Sequence, residues 1–153
     1  MRLVAFFAVC AICAGGCLVE AETVEEPAAF RESNFMSEVE QDAGLPQSVR
    51  VGGVVFVSAM TSPGESFERQ AKTIYIRLQS CLAQYGLSMR DVAQERVYLG
   101  SMSDYEQLVE LRRLYYRGNA VPAFSCVQVS GFPQEGALLS IELMAVANPE
   151  EEE

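Results

Sequence analysis

Phe67, Ala71, Ile74, Leu78, Cys81, Leu82 and Tyr85 recur at steps of three and four residues. That spacing lines them up on one stripe of an α-helix, and such a stripe has to be buried against a second layer. Arg69, Lys72 and Arg77 fall off the stripe, and Gly86 supplies a natural C-terminal stop. The spacing predicts a helix over 66–85.

What lies around that helix is written in another period. Residues 47–58, QSVRVGGVVFVS, are rich in β-branched side chains and broken by Gly52-Gly53, which predicts two strand pieces joined by a tight turn. Thr61-Ser62-Pro63-Gly64 ends that pattern. Residues 91–99, DVAQERVYL, read as a third strand. Ser103 and Glu106 have the spacing of a capping box, which predicts a second helix running to Arg117 with Tyr105, Leu108, Leu111, Leu114 and Tyr115 on its apolar face. Arg112, Arg113 and Arg117 cluster in its last turns, where cations complement the negative end of the helix dipole; an anion-binding role is the alternative. Gly118 stops the helix, and strands follow over 124–130 (FSCVQVS) and 137–147 (ALLSIELMAVA), separated by a turn at 133–136.

The order β-β-α-β-α-β-β predicts an α+β fold, a two-layer sandwich of a mainly antiparallel sheet with two helices on one face. The other sheet face is apolar enough to need a cover as well, which points to an oligomer.

Composition sharpens this. The 153 residues are half hydrophobic and carry a net charge of −10. Residues 22–42 hold Glu22, Glu25, Glu26, Glu32, Glu38, Glu40 and Asp42 against Arg31 alone, and the chain ends in Glu150, Glu151, Glu152 and Glu153. Between these stretches acids and bases balance, so the charge belongs to the tails and the domain is neutral. We read 22–43 as an acidic flexible segment, 44–148 as the domain and 149–153 as an acidic tail. A neutral domain without a basic face argues against a nucleic-acid partner. The absence of His excludes a Ser-His-Asp triad, a Cys-His dyad and His-ligated zinc. No metal site and no cofactor is expected.

The leader has its own logic. Met1-Arg2 precedes an apolar run over 3–14, about the length of a secretory h-region and short of the roughly 20 residues of a membrane span. Val19-Glu20-Ala21 suits a cut after Ala21, so residues 1–21 read as an export signal to a periplasmic or secreted location. Ala14-Gly15-Gly16-Cys17 offers the alternative of a lipoprotein box with Cys17 as a lipid anchor, the one expected route to a membrane. Cys10 and Cys13 then belong to the leader, and only Cys81 and Cys126 remain in the body. The two can pair as a disulfide in an exported chain, but Cys81 lies on the apolar helix stripe, the usual place of a free buried thiol.

VGGVVFVSAM, QAKTIYIRLQSCLAQYGLSMRDVAQERVYLGSMSDYEQL, VPAFSCVQVSGFP and ALLSIELMAV together resemble the RidA/YjgF reactive-intermediate deaminase family, over about residues 45–147. The resemblance implies a chorismate-mutase-like fold and a homotrimer whose sheets close a central barrel, with clefts at the subunit interfaces. It implies hydrolysis of 2-imino acids such as 2-iminobutanoate and 2-iminopropanoate, with a strand Arg clamping the substrate carboxylate in a P-A-R-S-C-V type motif. Here that motif reads Pro122-Ala123-Phe124-Ser125-Cys126-Val127, with Phe124 in the place of the arginine. The family's E-I-E is Ser140-Ile141-Glu142, its S-G-Q is Ser58-Ala59-Met60, its tyrosine is Leu45 and its helix Asn is Val109.

The implied cleft is therefore lined by Leu45, Ser58, Val109, Phe124, Cys126 and Ser140, and it favours a small neutral or apolar ligand over a carboxylate. Cys126 as nucleophile and Glu142 as base are the candidates for altered chemistry. An Arg such as Arg50, Arg96 or Arg112 brought close to Phe124 would restore a cation. Three readings stay open: a binding protein that has lost deamination, a deaminase with altered residues, and an envelope interaction platform.

Overall fold

A computed structural model describes residues 30–116, 118 and 121–147. The expected export signal over 1–21 with Cys17, residues 22–29, Arg117 and the tail over 149–153 lie outside the described residues.

The sheet has six strands: β1 (Arg31–Asn34), β2 (Ser48–Val51), β3 (Val54–Met60), β4 (Val92–Leu99), β5 (Ala123–Gln128) and β6 (Leu139–Val146), in the order β1-β2-β3-β6-β4-β5. Every pairing is antiparallel except β4 with β5, which is parallel. The parallel pair is joined through the helix α3 (Tyr105–Tyr115), as parallel neighbours require a crossover. The long helix α2 (Phe67–Ala83) packs against β3, β6 and α3.

The α+β sandwich is as the sequence predicts, with two additions. Residues 31–43, expected to be flexible, carry β1 and the short helix α1 (Glu38–Ala43). Their charged side chains point outward while the backbone of β1 pairs along β2, Arg31 opposite Val51 and Asn34 opposite Ser48. Ser37 caps α1 by accepting from the Glu40 amide, and the Met36 amide donates to the Glu40 carboxylate.

The strand register sorts the two faces. Val55 and Val57 of β3, Val97 and Leu99 of β4, and Leu139, Ile141, Leu143 and Ala145 of β6 face the helices and are buried with Ala71, Ile74, Tyr75, Leu78 and Leu82 of α2 and Leu108 and Leu111 of α3. Alternate residues face outward. There Phe56 pairs with Met144 and Val54 with Val146, and Phe56, Val127 and Val146 stay exposed.

Local chemistry explains the ends. Gly52 turns β2 into β3 at φ 57°. Helix α2 closes with the Gly86 amide on the Ala83 carbonyl and the Leu87 amide on the Leu82 carbonyl, a Schellman arrangement that uses Gly86 at φ 72°. The capping box at Ser103 and Glu106 does not form. A 3₁₀ turn (Met102–Asp104) begins first, Ser101 accepts from the Ser103 amide, and Asp104 stands at the head of α3 without a side-chain cap bond. Gln70, fully buried, ties two loops together: its amide donates to the Gly64 and Gly136 carbonyls, each at 2.9 Å, and its carbonyl accepts from the Leu138 amide at 2.8 Å.

Candidate functional site

A buried charged cluster lies between α3 and the β4–β5 edge. Glu95 falls on the helix-facing phase of β4 and is completely buried. A buried carboxylate needs partners. Tyr75 of α2 donates its hydroxyl to Glu95 Oε1 at 2.7 Å, and Arg112 of α3 donates Nε–H to Glu95 Oε2. Tyr75 is held by stacking on Tyr115, with ring centroids 4.2 Å apart. The Arg112 side chain is only 12% exposed. Its place in the last turn of α3 is as expected, but it turns inward to Glu95 instead of serving only the helix dipole.

Phe124 of β5 lies opposite Glu95 in the parallel register. Arg112 Cζ sits 3.9 Å from the centroid of the Phe124 ring and 5.2 Å from that of Tyr116. The guanidinium is thus placed on aromatic faces, where the ring quadrupole attracts it. Among the described residues, two buried donors remain without a hydrogen-bond partner, Arg112 Nη2 and the Tyr116 hydroxyl.

Burial pushes the Glu95 carboxyl above the usual carboxylate range, against the Tyr75 hydrogen bond and the Arg112 charge. Burial, then the Glu95 charge, holds the Tyr75 and Tyr116 hydroxyls above the ordinary tyrosine value. The Cys126 thiol is raised by burial and by Glu95, with Arg112 pulling the other way. A nucleophilic Cys needs a depressed thiol, so this environment suits a neutral thiol. Cys81 and Cys126 are both free.

One chain does not bring the six expected site residues together. Leu45, 67% exposed, and Ser58 line a depression of about 430 Å³ with Gln47, Thr61, Arg77 and Gln134, and Ser58 Oγ donates to the Pro46 carbonyl at 2.8 Å. Ser140 is buried, donates to the Met60 carbonyl at 3.0 Å, and lines a neighbouring depression with Tyr98, Phe132 and Pro133. The two depressions share Ala59, Thr61 and Gln134. Phe124 and Cys126 line neither; they are half-buried against the core on β5. Val109 is half-buried on α3 and lines neither depression.

Glu142 finds its cation inside the same chain. It pairs with Arg96, its register partner on β4, on the outward sheet face. A shallow depression of about 330 Å³ surrounds this pair, with Phe56, Ser58, Gln94 and Met144. The cation foreseen near Phe124 is Arg112. The residue that sequence reasoning missed is Glu95; its signal was an acid in the inward phase of an otherwise apolar strand, three residues after Val92 and two before Val97.

Solved structures similar to this chain include a member of the YjgF/YER057c/UK114 family from Mycobacterium tuberculosis. It is 28% identical, covers 77% of this chain and 100% of its own, and superposes with a TM-score of 0.71. RidA from an Antarctic Psychrobacter is 27% identical, with 66% of this chain and 86% of that chain covered and a TM-score of 0.63. A YjgF-family protein from Neisseria meningitidis shares the fold at 20% identity, with a TM-score of 0.71 over 80% of this chain and 98% of that one. Among curated proteins, none matches this chain in sequence. The model of the endoribonuclease L-PSP family matches residues 36–147, and with these structural neighbours it makes the chain a member of that family, the RidA/YjgF family.

Proposed function

We propose that this protein is an exported, trimeric RidA-family binding protein that holds a small neutral ligand in clefts between subunits and has lost imine deamination. The observation that carries the reading is Phe124 lying under Arg112. A ring occupies the place where the resemblance puts the carboxylate clamp, and the nearest guanidinium is already bonded to Glu95. A second anion there would compete with a buried carboxylate for one cation. The outward sheet face, with Phe56, Val127 and Val146 exposed, supplies the apolar surface that a trimer buries. Separation of Leu45 and Ser58 from Phe124 within one chain fits a cleft completed by a neighbour. The leader over 1–21 supports export, to the periplasm or beyond, with Cys17 as the alternative anchor.

The test generates 2-iminopropanoate and 2-iminobutanoate in situ and follows their hydrolysis, with light scattering on the same sample. The expected result is a trimer that does not accelerate hydrolysis over buffer. A trimer that does accelerate it favours the second reading, an altered deaminase in which Arg112 serves from the helix. A monomer removes the interface cleft.

A further inference from the structure

Among the described residues two buried donors lack an acceptor, Arg112 Nη2 and the Tyr116 hydroxyl, and the Arg112 guanidinium lies over both the Phe124 and the Tyr116 rings. A buried donor left unpaired loses its hydration without compensation, and native interiors rarely carry two in one cluster without a use for them. Their described neighbours do not supply the acceptor. Glu95 spends Oε1 on Tyr75 and Oε2 on Arg112 Nε. The cluster is not sealed, because β5 is the last strand of the sheet and Phe124 and Cys126 are half-exposed along it.

We infer that Arg112 and Tyr116 form a two-donor site for the carbonyl oxygen of a small uncharged ligand, an amide or ketone, entering beside Phe124 and Cys126 at the β5 edge. The charge balance selects the class. Arg112 is already neutralised by Glu95 across a direct hydrogen bond, so an incoming carboxylate meets an ion pair and not a free cation. A carbonyl oxygen accepts from both donors without adding charge to a buried site. The part of Phe124 that Arg112 leaves uncovered, with Cys126 beside it on β5, then takes the ligand's apolar body. The site rests on the binding reading above and names the ligand class for it.

The probes are propanamide and propanoate, which share size and shape and differ in charge. The full chain, isotope-labelled, is titrated at pH 8, and the Arg112 Nε–H and Tyr116 ring resonances are followed. Propanamide is expected to move both sets saturably, and propanoate to need at least about tenfold higher concentration. Tyr116→Phe removes one donor whose hydroxyl has no protein partner, so the variant folds; it is expected to weaken propanamide about fivefold, the worth of one hydrogen bond. Unmoved resonances, equal affinity for the two probes, or a Tyr116→Phe variant that binds propanamide undiminished would each overturn the inference. Light scattering and the imine assay on the same preparation report separately on the trimer and on lost deamination, so a failure of that reading is distinguishable from a failure of this site.

Discussion

Arg112 holds its Cζ 3.9 Å from the centroid of the Phe124 ring, so a cation carried by a helix covers the edge-strand aromatic. Arg112 and the core pack one side of the ring, and the rest stays half-exposed along β5. Phe124→Arg would set a second guanidinium against the first, beside a single carboxylate. It is expected to lower the melting temperature and to broaden the elution profile on size-exclusion chromatography. Phe124→Leu keeps most of the volume and loses the cation–π contact, at a cost of about 1 kcal/mol in urea unfolding. A fully stable Phe124→Arg variant would mean that Arg112 swings away easily.

The Arg112–Glu95 pair should behave as a buried ion pair. Arg112→Ala leaves Glu95 without its cation and is expected to cost about 3–5 kcal/mol. Arg112→Met combined with Glu95→Leu should recover most of that loss, because well-packed apolar residues often replace a buried pair without penalty. A double-mutant cycle in denaturant checks the coupling.

Glu95 also gives the fold a pH signature. Its carboxyl is raised in the folded state by burial. The folded chain therefore holds this proton more tightly than the unfolded chain. Its contribution to stability falls as pH rises from the ordinary carboxylate value, about 4.3, through the raised folded value, and is flat above. Unfolding free energies of wild type and Glu95→Gln, compared across that window, should differ by this downward slope. Parallel curves would show that Glu95 ionises as freely in the fold as in the open chain.

Cys126 should be a slow thiol. Burial and Glu95 raise it, with only partial relief from Arg112. Alkylation by iodoacetamide at neutral pH is expected to run slower than for a model peptide and to accelerate on unfolding. Fast single-site modification of the folded chain would reopen the case for a nucleophile.

Gln70 offers a test away from the cluster. Its side chain satisfies two carbonyls and one amide in the loops that bring Thr61 and Gln134 to the rim of the depressions. Gln70→Leu leaves those backbone groups unpaired and is expected to cost about 3 kcal/mol. The Leu138 amide should lose its protection from hydrogen exchange in the same variant.

The sequence made the central layers legible because their side chains repeat with the period of their backbone. The stripe from Phe67 to Leu82 and the alternation in β3 and β6 report burial directly. It did not reveal β1 or α1, whose charged side chains carry no apolar stripe; β1 exists through backbone pairing with β2, a tertiary partner that no local pattern encodes. The Ser103–Glu106 spacing misled because Ser101 starts a turn two residues sooner. At the candidate site, Phe124 stands in the motif position that the resemblance gives to an arginine, and Arg112 was among the cations named for it. What could not be read was the pairing of Arg112 with Glu95, since it depends on how the last turn of α3 and the inward phase of β4 converge in space.

The parallel pairing of β4 with β5 has a further meaning. Glu95, Arg112 and Phe124 stand on three successive elements, a strand, the helix that follows it and the strand that follows that. The cluster is thus drawn mainly from one contiguous stretch of chain, joined by Tyr75 of α2. Such a cassette can change its chemistry by substitutions within itself, exchanging strand cation for helix cation, while the β2–β3 hairpin and the outward face keep whatever assembly they already serve. Substitutions confined to this stretch can therefore alter the cluster and leave the rest of the sheet unchanged.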